Sequence, residues 1–273
     1  ARLKHVIDKL DRGWLLLRKW GYQKLYPCSD ARRCRVFVAG MQRSGTNMLM
    51  DVLEKSLDTD VYHERDPRAF DNYRMRDAGQ IQHLVDHSAA SSFVIKALCE
   101  LQDLTWLMEK FEPAKTVWIV RDYNDVVNSM LRSFGNMAKQ VHRIVRDPAS
   151  SGWLGLGMSA ETLVVLRGLV SESLDDRTAS ALQWYFRNIL YFEQGFDQDR
   201  RVLPVRYEKL VTNPAGEFDR IFGFIGIDFS PRVAAKVSPR SIGKNPPPDI
   251  APPVRDLCDG LLARFHSLTV SAD

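Results

Sequence analysis

With 273 residues and 31.2 kDa, the chain is long enough for one large α/β domain with a sizeable core. Its 45% hydrophobic content excludes a disordered chain, and no apolar run approaches the ~20 residues a bilayer-spanning helix needs. A net charge of +4 suits an anionic small ligand and is too mild to point to nucleic acid.

Along the chain, the first 26 residues contain RGWLLLRKWGYQKLYP, where Trp14, Leu15, Leu16, Leu17, Trp20 and Tyr22 stand among basic residues. This reads as a helix, and two placements stay open: packed onto the domain, or lying on a membrane surface. Cys28 and Cys34 flank a short loop; free thiols are the simpler reading, with pairing as the alternative in an oxidising compartment. None of the four cysteines (Cys28, Cys34, Cys99, Cys258) has zinc-ligand spacing. No Asn-x-Ser/Thr acceptor occurs, which points away from a glycosylated secretory enzyme. The expected location is the cytoplasm, with membrane association through the N-terminal segment, or the Golgi lumen if an anchor precedes Ala1.

Apolar runs at Val36–Ala39, Phe93–Lys96, Thr116–Val120 and Arg201–Val205 alternate with helical patterns. They predict a single P-loop-like α/β domain with a mostly parallel central sheet flanked by helices. Its expected parts are an N-terminal helical extension over 1–34, a core over 35–230 and an extended C-terminal segment over 231–273. Between them, Arg146–Gly157 (RDPASSGWLGLG) reads as a flexible loop leading to helices at Ser159–Leu174 and Asp176–Gly195. Asn213 and Pro214 form a cap and first-turn pair, Phe218, Ile221, Phe222 and Ile225 share one face, and Gly226 is the stop. The tail KVSPRSIGKNPPPDIAPP is proline-rich, and Arg240, Ser241 and Lys244 sit where the chain can close over a ligand.

Three stretches carry chemistry. In CRVFVAGMQRSGTNML, strand, glycine-bounded loop and helix present backbone N–H groups and a positive helix end to an anion. A nucleotide triphosphatase needs Lys where Thr46 stands and Ser/Thr where Asn47 stands. The cation sits instead in the loop, at Arg43, whose planar fork clamps an oxyanion without a metal. In KTVWIVRDYNDVVNSML, a strand delivers Arg121 at its carboxyl end and Ser129 follows eight residues later. Arg121 has a structural alternative, an ion pair with Asp125 or Asp122, and Asp122 has another, a magnesium site. In RVLPVRYEKLVTNP a strand ends at Arg206-Tyr207-Glu208, and the Tyr207 ring either meets a base or packs.

In that order, these motifs resemble the sulfotransferases that use 3′-phosphoadenosine-5′-phosphosulfate (PAPS), over Val36 to about Phe229. QRSGTNML looks like the 5′-phosphosulfate loop in the Arg-Ser-Gly-Thr form of tyrosylprotein and many bacterial members, and VRDYNDVVNS looks like the 3′-phosphate element. The resemblance implies that Arg43 and the amides of Ser44, Gly45, Thr46 and Asn47 hold the phosphosulfate. It also implies that Arg121 and Ser129 hold the 3′-phosphate, and that Tyr207 contacts adenine. Lys96, in FVIKAL, falls where the family places a second cation near the sulfuryl group. PAPS is then the co-substrate, PAP the product, and no metal is required. The sequence departs from cytosolic members at Met48, in place of a stacking aromatic, and at Leu98, in place of a histidine base. Glu64, 21 residues after Arg43, matches the separation of the glutamate base in tyrosylprotein sulfotransferases, with His63 as the runner-up.

The expected reaction is sulfuryl transfer to a hydroxyl of a small-molecule or glycan acceptor, first a carbohydrate or glycolipid, since Trp153 and Trp184 suit stacking as well as a core. A tyrosine or peptide acceptor comes second. Outside the family stand a nucleotide-dependent kinase with a degenerate loop and a non-catalytic nucleotide-binding protein. The sequence does not speak to oligomeric state.

Overall fold

Residue alternation along the apolar runs decides the architecture. The computed structural model describes the backbone of residues 2–29 and 33–270, and side chains over 12–29 and 33–268. Ala1, residues 30–32 and residues 271–273, which belong to the expected extension and tail, lie outside the described residues. Helix α1 (Arg2–Leu25), β1 (Cys34–Ala39), α2 (Thr46–Glu54) and β2 (Thr59–Tyr62) lead into a small antiparallel hairpin, β3 (Phe70–Asp71) and β4 (Arg74–Met75). Then come α3 (Ala78–His87), β5 (Ser92–Ala97), α4 (Leu104–Lys110), β6 (Ala114–Val120) and α5 (Tyr123–Ser133). Helices α6 (Met137–Arg146), α7 (Ala160–Leu169), α8 (Asp176–Asn188) and α9 (Leu190–Glu193) precede β7 (Val202–Arg206). Helices α10 (Tyr207–Thr212), α11 (Pro214–Ile225), α12 (Pro231–Ala234) and α13 (Pro252–Val270) complete the order.

The main sheet runs β2-β5-β1-β6-β7, every pair parallel. Period two sends Val36 and Val38 of β1, with Val117 and Ile119 of β6, to one core. Phe37 and Ala39, with Trp118 and Val120, enter the other. Leu49 and Leu53 of α2 and Phe218 and Phe222 of α11 cover the first face. Met108 of α4, Val126 of α5, Leu182 of α8 and Phe265 of α13 cover the second. Burial on both faces is what a parallel sheet requires. Because all five strands point the same way, the segments carrying Arg43, Glu64, Lys96, Arg121 and Tyr207 emerge at one edge.

Strand β2 was not expected: TDVY is short and half polar, and its burial comes from pairing with β5 at the sheet edge. Helix α1 packs along that edge through polar groups. Lys19 Nζ donates to the Thr59 carbonyl at 2.9 Å, Gln23 Nε2 to the Leu57 carbonyl at 2.8 Å, and Arg12 Nη2 to Glu54 Oε1 at 2.8 Å. Burial pushes the Lys19 ammonium down to about 8.

The tail corrects the expected extended segment over 231–273. Among its described residues only 235–251 lacks helix and strand, and α13 is a 19-residue helix. Val254, Cys258, Leu261 and Phe265 recur at helical spacing and are buried, while Pro252 and Pro253 occupy a first turn where a missing N–H costs little. The expected helices at Ser159–Leu174 and Asp176–Gly195 are shorter, Ala160–Leu169 and Asp176–Asn188, with α9 continuing after the second. Within Arg146–Gly157, 3₁₀ turns at Pro148–Gly155 are pinned by Arg187 Nη1, which donates to the carbonyls of Trp153 at 3.1 Å and Leu156 at 3.3 Å. Trp184 is fully buried and donates to the Arg121 carbonyl at 2.9 Å, so it is core and not a stacking platform. All four cysteines, Cys28 and Cys34 included, are free thiols.

Candidate active site

The loop after β1 is shaped by two close approaches. At Gly40 (φ 141°) a Cβ would stand 2.5 Å from the Ile119 carbonyl oxygen; at Gly45 (φ 98°) it would stand 2.3 Å from the Tyr207 ring. Between them Arg43 takes φ 68°, a left-handed conformation uncommon outside glycine. Helix α2 begins at Thr46, and its N-cap, Gly45, offers no side-chain cap. The amides of its first turn have no carbonyl within the helix and add to the positive dipole end, which makes a seat for an anion. Ser44 differs from expectation: its amide closes a turn onto the Met41 carbonyl at 3.3 Å, and its buried hydroxyl has no hydrogen-bond partner.

The two anion-binding groups read separately from the sequence meet in one place. Arg43 Nε donates to Ser129 Oγ at 2.9 Å, and Arg121 Nη1 donates to the Arg43 carbonyl at 3.3 Å. Arg121 Nη2 donates to the Ser241 carbonyl at 2.7 Å and stands 3.3 Å from Asp125 Oδ2. Its guanidinium lies 4.5 Å from the Tyr207 ring centre, and its buried Nε has no partner. The Asp125 ion pair is thus present. Asp122 caps α5, accepting from the Asn124 amide at 2.8 Å, while its own amide donates to Glu208 Oε1 at 2.9 Å.

Tyr207 supports this assembly from beneath Gly45 and Arg121, its hydroxyl against Ser241 Oγ, and it does not line the cleft. Arg240 and Lys244 are exposed and also outside the lining. The tail reaches the site through main-chain groups instead: the Ser241 carbonyl and the Gly243 amide, which donates to Asp125 Oδ2 at 3.2 Å.

Lys96 joins this assembly to the opposite wall. Period two from Val94 puts it on the α2 side of β5, 1% exposed. Its Nζ donates to Asn47 Oδ1 at 2.6 Å and lies 2.5 Å from Glu64 Oε2. Burial lowers the Lys96 pKa and the Glu64 carboxylate opposes that shift. His63 turns away, its Nε2 3.5 Å from Glu54 Oε2, so Glu64 and not His63 faces the cleft.

Arg43, Gly45, Thr46, Asn47, Glu64, Lys96, Arg121 and Ser129 line one cleft of about 650 Å³. Among the described residues no group of three or more His, Cys, Asp and Glu is placed to hold a metal ion. Orphaned polar atoms at Ser44 Oγ and Arg121 Nε, a glycine cradle with no room for Cβ, and two guanidiniums fit an anionic, nucleotide-sized group.

A family model for the sulfotransferase domain matches residues 33–245, a span that contains every one of these groups. The chain belongs to the sulfotransferase family. In fold it is similar to the sulfotransferase domain from the curacin biosynthetic pathway, with TM-score 0.55 at 13% identity over 84% of this chain and 97% of that one. Two further sulfotransferases are more distant. The domain from the Synechococcus PCC 7002 olefin synthase has TM-score 0.47 and 15% identity over 84% and 94% of the two chains. Mouse SULT7A1, solved in complex with PAP, has TM-score 0.42 and 18% identity over 81% and 68%. No curated protein sequence matches the chain.

On the far wall of this sulfotransferase the sequence singled out Trp153, as a stacking candidate, and Leu98, as a departure from cytosolic members. Arg65, Asn72, Tyr73, Leu98, Cys99, Phe134 and Trp153 are also in the lining, drawn from the hairpin and the loop before it, the end of β5 and two further loops. Asn72 and Tyr73 both take positive φ, 47° and 65°, in a turn without glycine. Glu100 Oε1 accepts from the Met75 amide at 2.8 Å and Cys99 Sγ donates to the Tyr73 carbonyl at 3.4 Å; both hold the hairpin. Burial pushes the Glu100 carboxyl up to about 7 and the Cys99 thiol up to about 12. Trp153 is braced by the Arg187 guanidinium, 5.2 Å from its ring centre. Leu98, where cytosolic members would carry a histidine, is apolar lining.

Proposed function

We propose that this sulfotransferase moves a sulfuryl group from PAPS to a hydroxyl of a carbohydrate or glycolipid acceptor. The observation that carries the reading is the pair of contacts made by Lys96, one to Asn47 on the loop helix and one to Glu64 on the cleft wall. A single buried cation links the anion seat to a carboxylate that has room for an acceptor beside it. Arg43 and the amides of Gly45, Thr46 and Asn47 hold the phosphosulfate end in this reading, and Arg121 and Ser129 hold the 3′-phosphate end. When bound, the donor supplies a sulfuryl group already joined to a phosphate leaving group.

Glu64 takes the proton of the acceptor hydroxyl, a role that typically contributes ~10²–10⁴-fold to rate. Lys96 and Arg43 neutralise charge growing at the transferred group and the departing oxygen. A sulfuryl group carries less charge than a phosphoryl group, so two side-chain cations do the work that kinases assign to magnesium. Tyr73 and Trp153 offer flat faces to a sugar ring. A peptide tyrosine is the second reading, favoured by Arg65 on the same wall.

The test has two arms. Calorimetry with PAP, against ATP plus magnesium, separates a sulfotransferase from a kinase: PAP is expected to bind and ATP–magnesium is not, and the reverse result overturns the reading. A panel of hydroxylated acceptors with labelled donor then identifies the acceptor class; transfer to tyrosine peptides alone would replace the carbohydrate reading.

A further inference from the structure

Helix α1 is amphipathic the wrong way round for a helix that only packs on its own domain. The side chains that touch the body are Arg12, Lys19, Tyr22 and Gln23, polar groups that meet Glu54, Leu57, Asp58 and Thr59. The apolar side chains face outward: Trp14 is 64% exposed, Leu17 60%, Trp20 59% and Leu25 76%. At 100° per residue, Trp14, Leu17 and Leu25 fall within one narrow stripe opposite Lys19, with Trp20 beside it. A soluble surface has no reason to bury lysine and expose two tryptophans on one helix.

The charges say what covers this stripe. Helix α1 carries seven Lys/Arg and two Asp. Arg18 flanks the stripe on one side and Lys24 on the other, both exposed, with the Lys24 ammonium 4.1 Å from the Trp20 ring centre. Tryptophans with a basic rim match the headgroup zone of an anionic bilayer. No helix among the described residues is long and apolar enough to cross a membrane, so the contact lies along the surface.

We propose that the outward face of α1, Trp14, Leu17, Trp20 and Leu25 with Arg18 and Lys24, docks this protein on an anionic lipid surface. The orientation follows from the edge strand. Lys19 and Gln23 meet Thr59 at the start of β2, whereas Arg12 meets Glu54, which also faces His63 just beyond the end of β2. Helix α1 therefore runs antiparallel to β2, and its N-terminal half points to the sheet edge that carries Glu64 and the cleft. Docked this way, the cleft opens beside the bilayer and not away from it, which suits an acceptor with a lipid anchor. The lipid contact itself does not rest on the sulfotransferase reading.

Co-sedimentation of the full chain with phosphatidylcholine vesicles, with and without about one third phosphatidylserine, tests it. Binding to the anionic vesicles is expected, weaker by at least about tenfold on neutral ones and reduced by high salt. The triple variant W14S/L17S/W20S is expected to lose vesicle binding by at least about tenfold, with PAP binding and melting temperature unchanged because these side chains touch solvent. R18E/K24E gives an independent readout, a fall of at least about fivefold for each charge, should the triple variant fold poorly. Equal sedimentation of wild type and both variants, or no binding to either vesicle, overturns the proposal. So does a solution dimer that W14S/L17S/W20S dissolves, since a second copy would then own the face. Neither donor nor acceptor enters this assay, so its failure is distinguishable from failure of the catalytic reading.

Discussion

The two ends of the cleft are built by different means. At the end proposed to seat the donor, main chain and glycine do the shaping: Gly40 against Ile119, Gly45 against Tyr207, and Arg121 holding the carbonyls of both Arg43 and Ser241. At the end proposed to take the acceptor, a hairpin of two-residue strands and loops contribute side chains that remain open to solvent, Tyr73 at 52% and Phe134 at 41%. In the proposed reading, a rigid donor seat and a loosely held acceptor wall let specificity change at one end without refolding the sheet or disturbing the other. Glu64 and Lys96 stand at the seam and belong to both.

The sharpest way to break this contrast is at Arg43. Its guanidinium is the one on the loop itself and reaches Ser129 across the seat. R43A is expected to lower transfer by about 10³-fold or more and to weaken PAP binding, read by labelled-donor kinetics and calorimetry. Wild-type behaviour in that variant would remove the donor seat from the argument. Next in size is E64Q, which keeps the shape of the wall and removes the base. Turnover is expected to fall on the order of 100-fold or more. Binding of PAP should stay intact, because Lys96 keeps its hydrogen bond to Asn47 on the loop helix. Unchanged turnover would take Glu64 out of the mechanism, and lost PAP binding would move it wholly to the donor side.

A third substitution sharpens the contrast by acting on stability as well as binding. G45A places a methyl group into the Tyr207 ring at a backbone angle that favours glycine. A loss of about 2 kcal/mol is expected from strain and overpacking, seen as a melting temperature lower by several degrees, together with weaker PAP binding. The paired control Y73A, at the acceptor end, is expected to raise KM for the acceptor and leave both readouts alone. If Y73A proves as damaging to folding as G45A, the two walls are not built differently.

How much of this was legible beforehand follows the same division. The loop, its strand and helix, and the position of Arg121 and Ser129 all carry periodic or glycine signals, and the structure brings those residues together. Glu64 entered through family resemblance, and nothing in VYHERDP alone says that it, and not His63, will face Lys96. That choice depends on β2, whose four residues are strand only because β5 is beside them. The hairpin was hidden for a related reason: Asn72 and Tyr73 adopt positive φ without glycine to announce the turn. Arg240 and Lys244 drew attention through charge, yet the tail meets Arg121 with a carbonyl, and main-chain groups leave no mark in a sequence. Helix α13 was obscured by the prolines that precede and begin it.

The smallest expected effect probes how the acceptor wall is held. Glu100 accepts from the Met75 amide with Oε1, while Oε2 is buried without a partner. Burial, opposed chiefly by the Met75 amide and aided by Asp103, raises its carboxyl from 4.5 to about 7, and Arg187 is a further cation near it. A raised acid pKa means that the folded state binds the proton more tightly than the unfolded chain does. Its contribution to stability is therefore complete below about 4.5 and is lost as pH rises through about 7. E100Q retains an oxygen for Met75 and has no charge to bury. The variant should match wild type at low pH, gain on it between those two values, and hold a constant advantage of about 1 kcal/mol above them once partial exposure is allowed for. Melting curves across that range read the difference as about 2–4 °C. An advantage that grows toward low pH would reverse the sign and mean that Glu100 is held as a carboxylate; no difference at any pH would mean that solvent reaches it freely. The second outcome would detach the hairpin, and with it Tyr73, from the buried anchor that Glu100 provides.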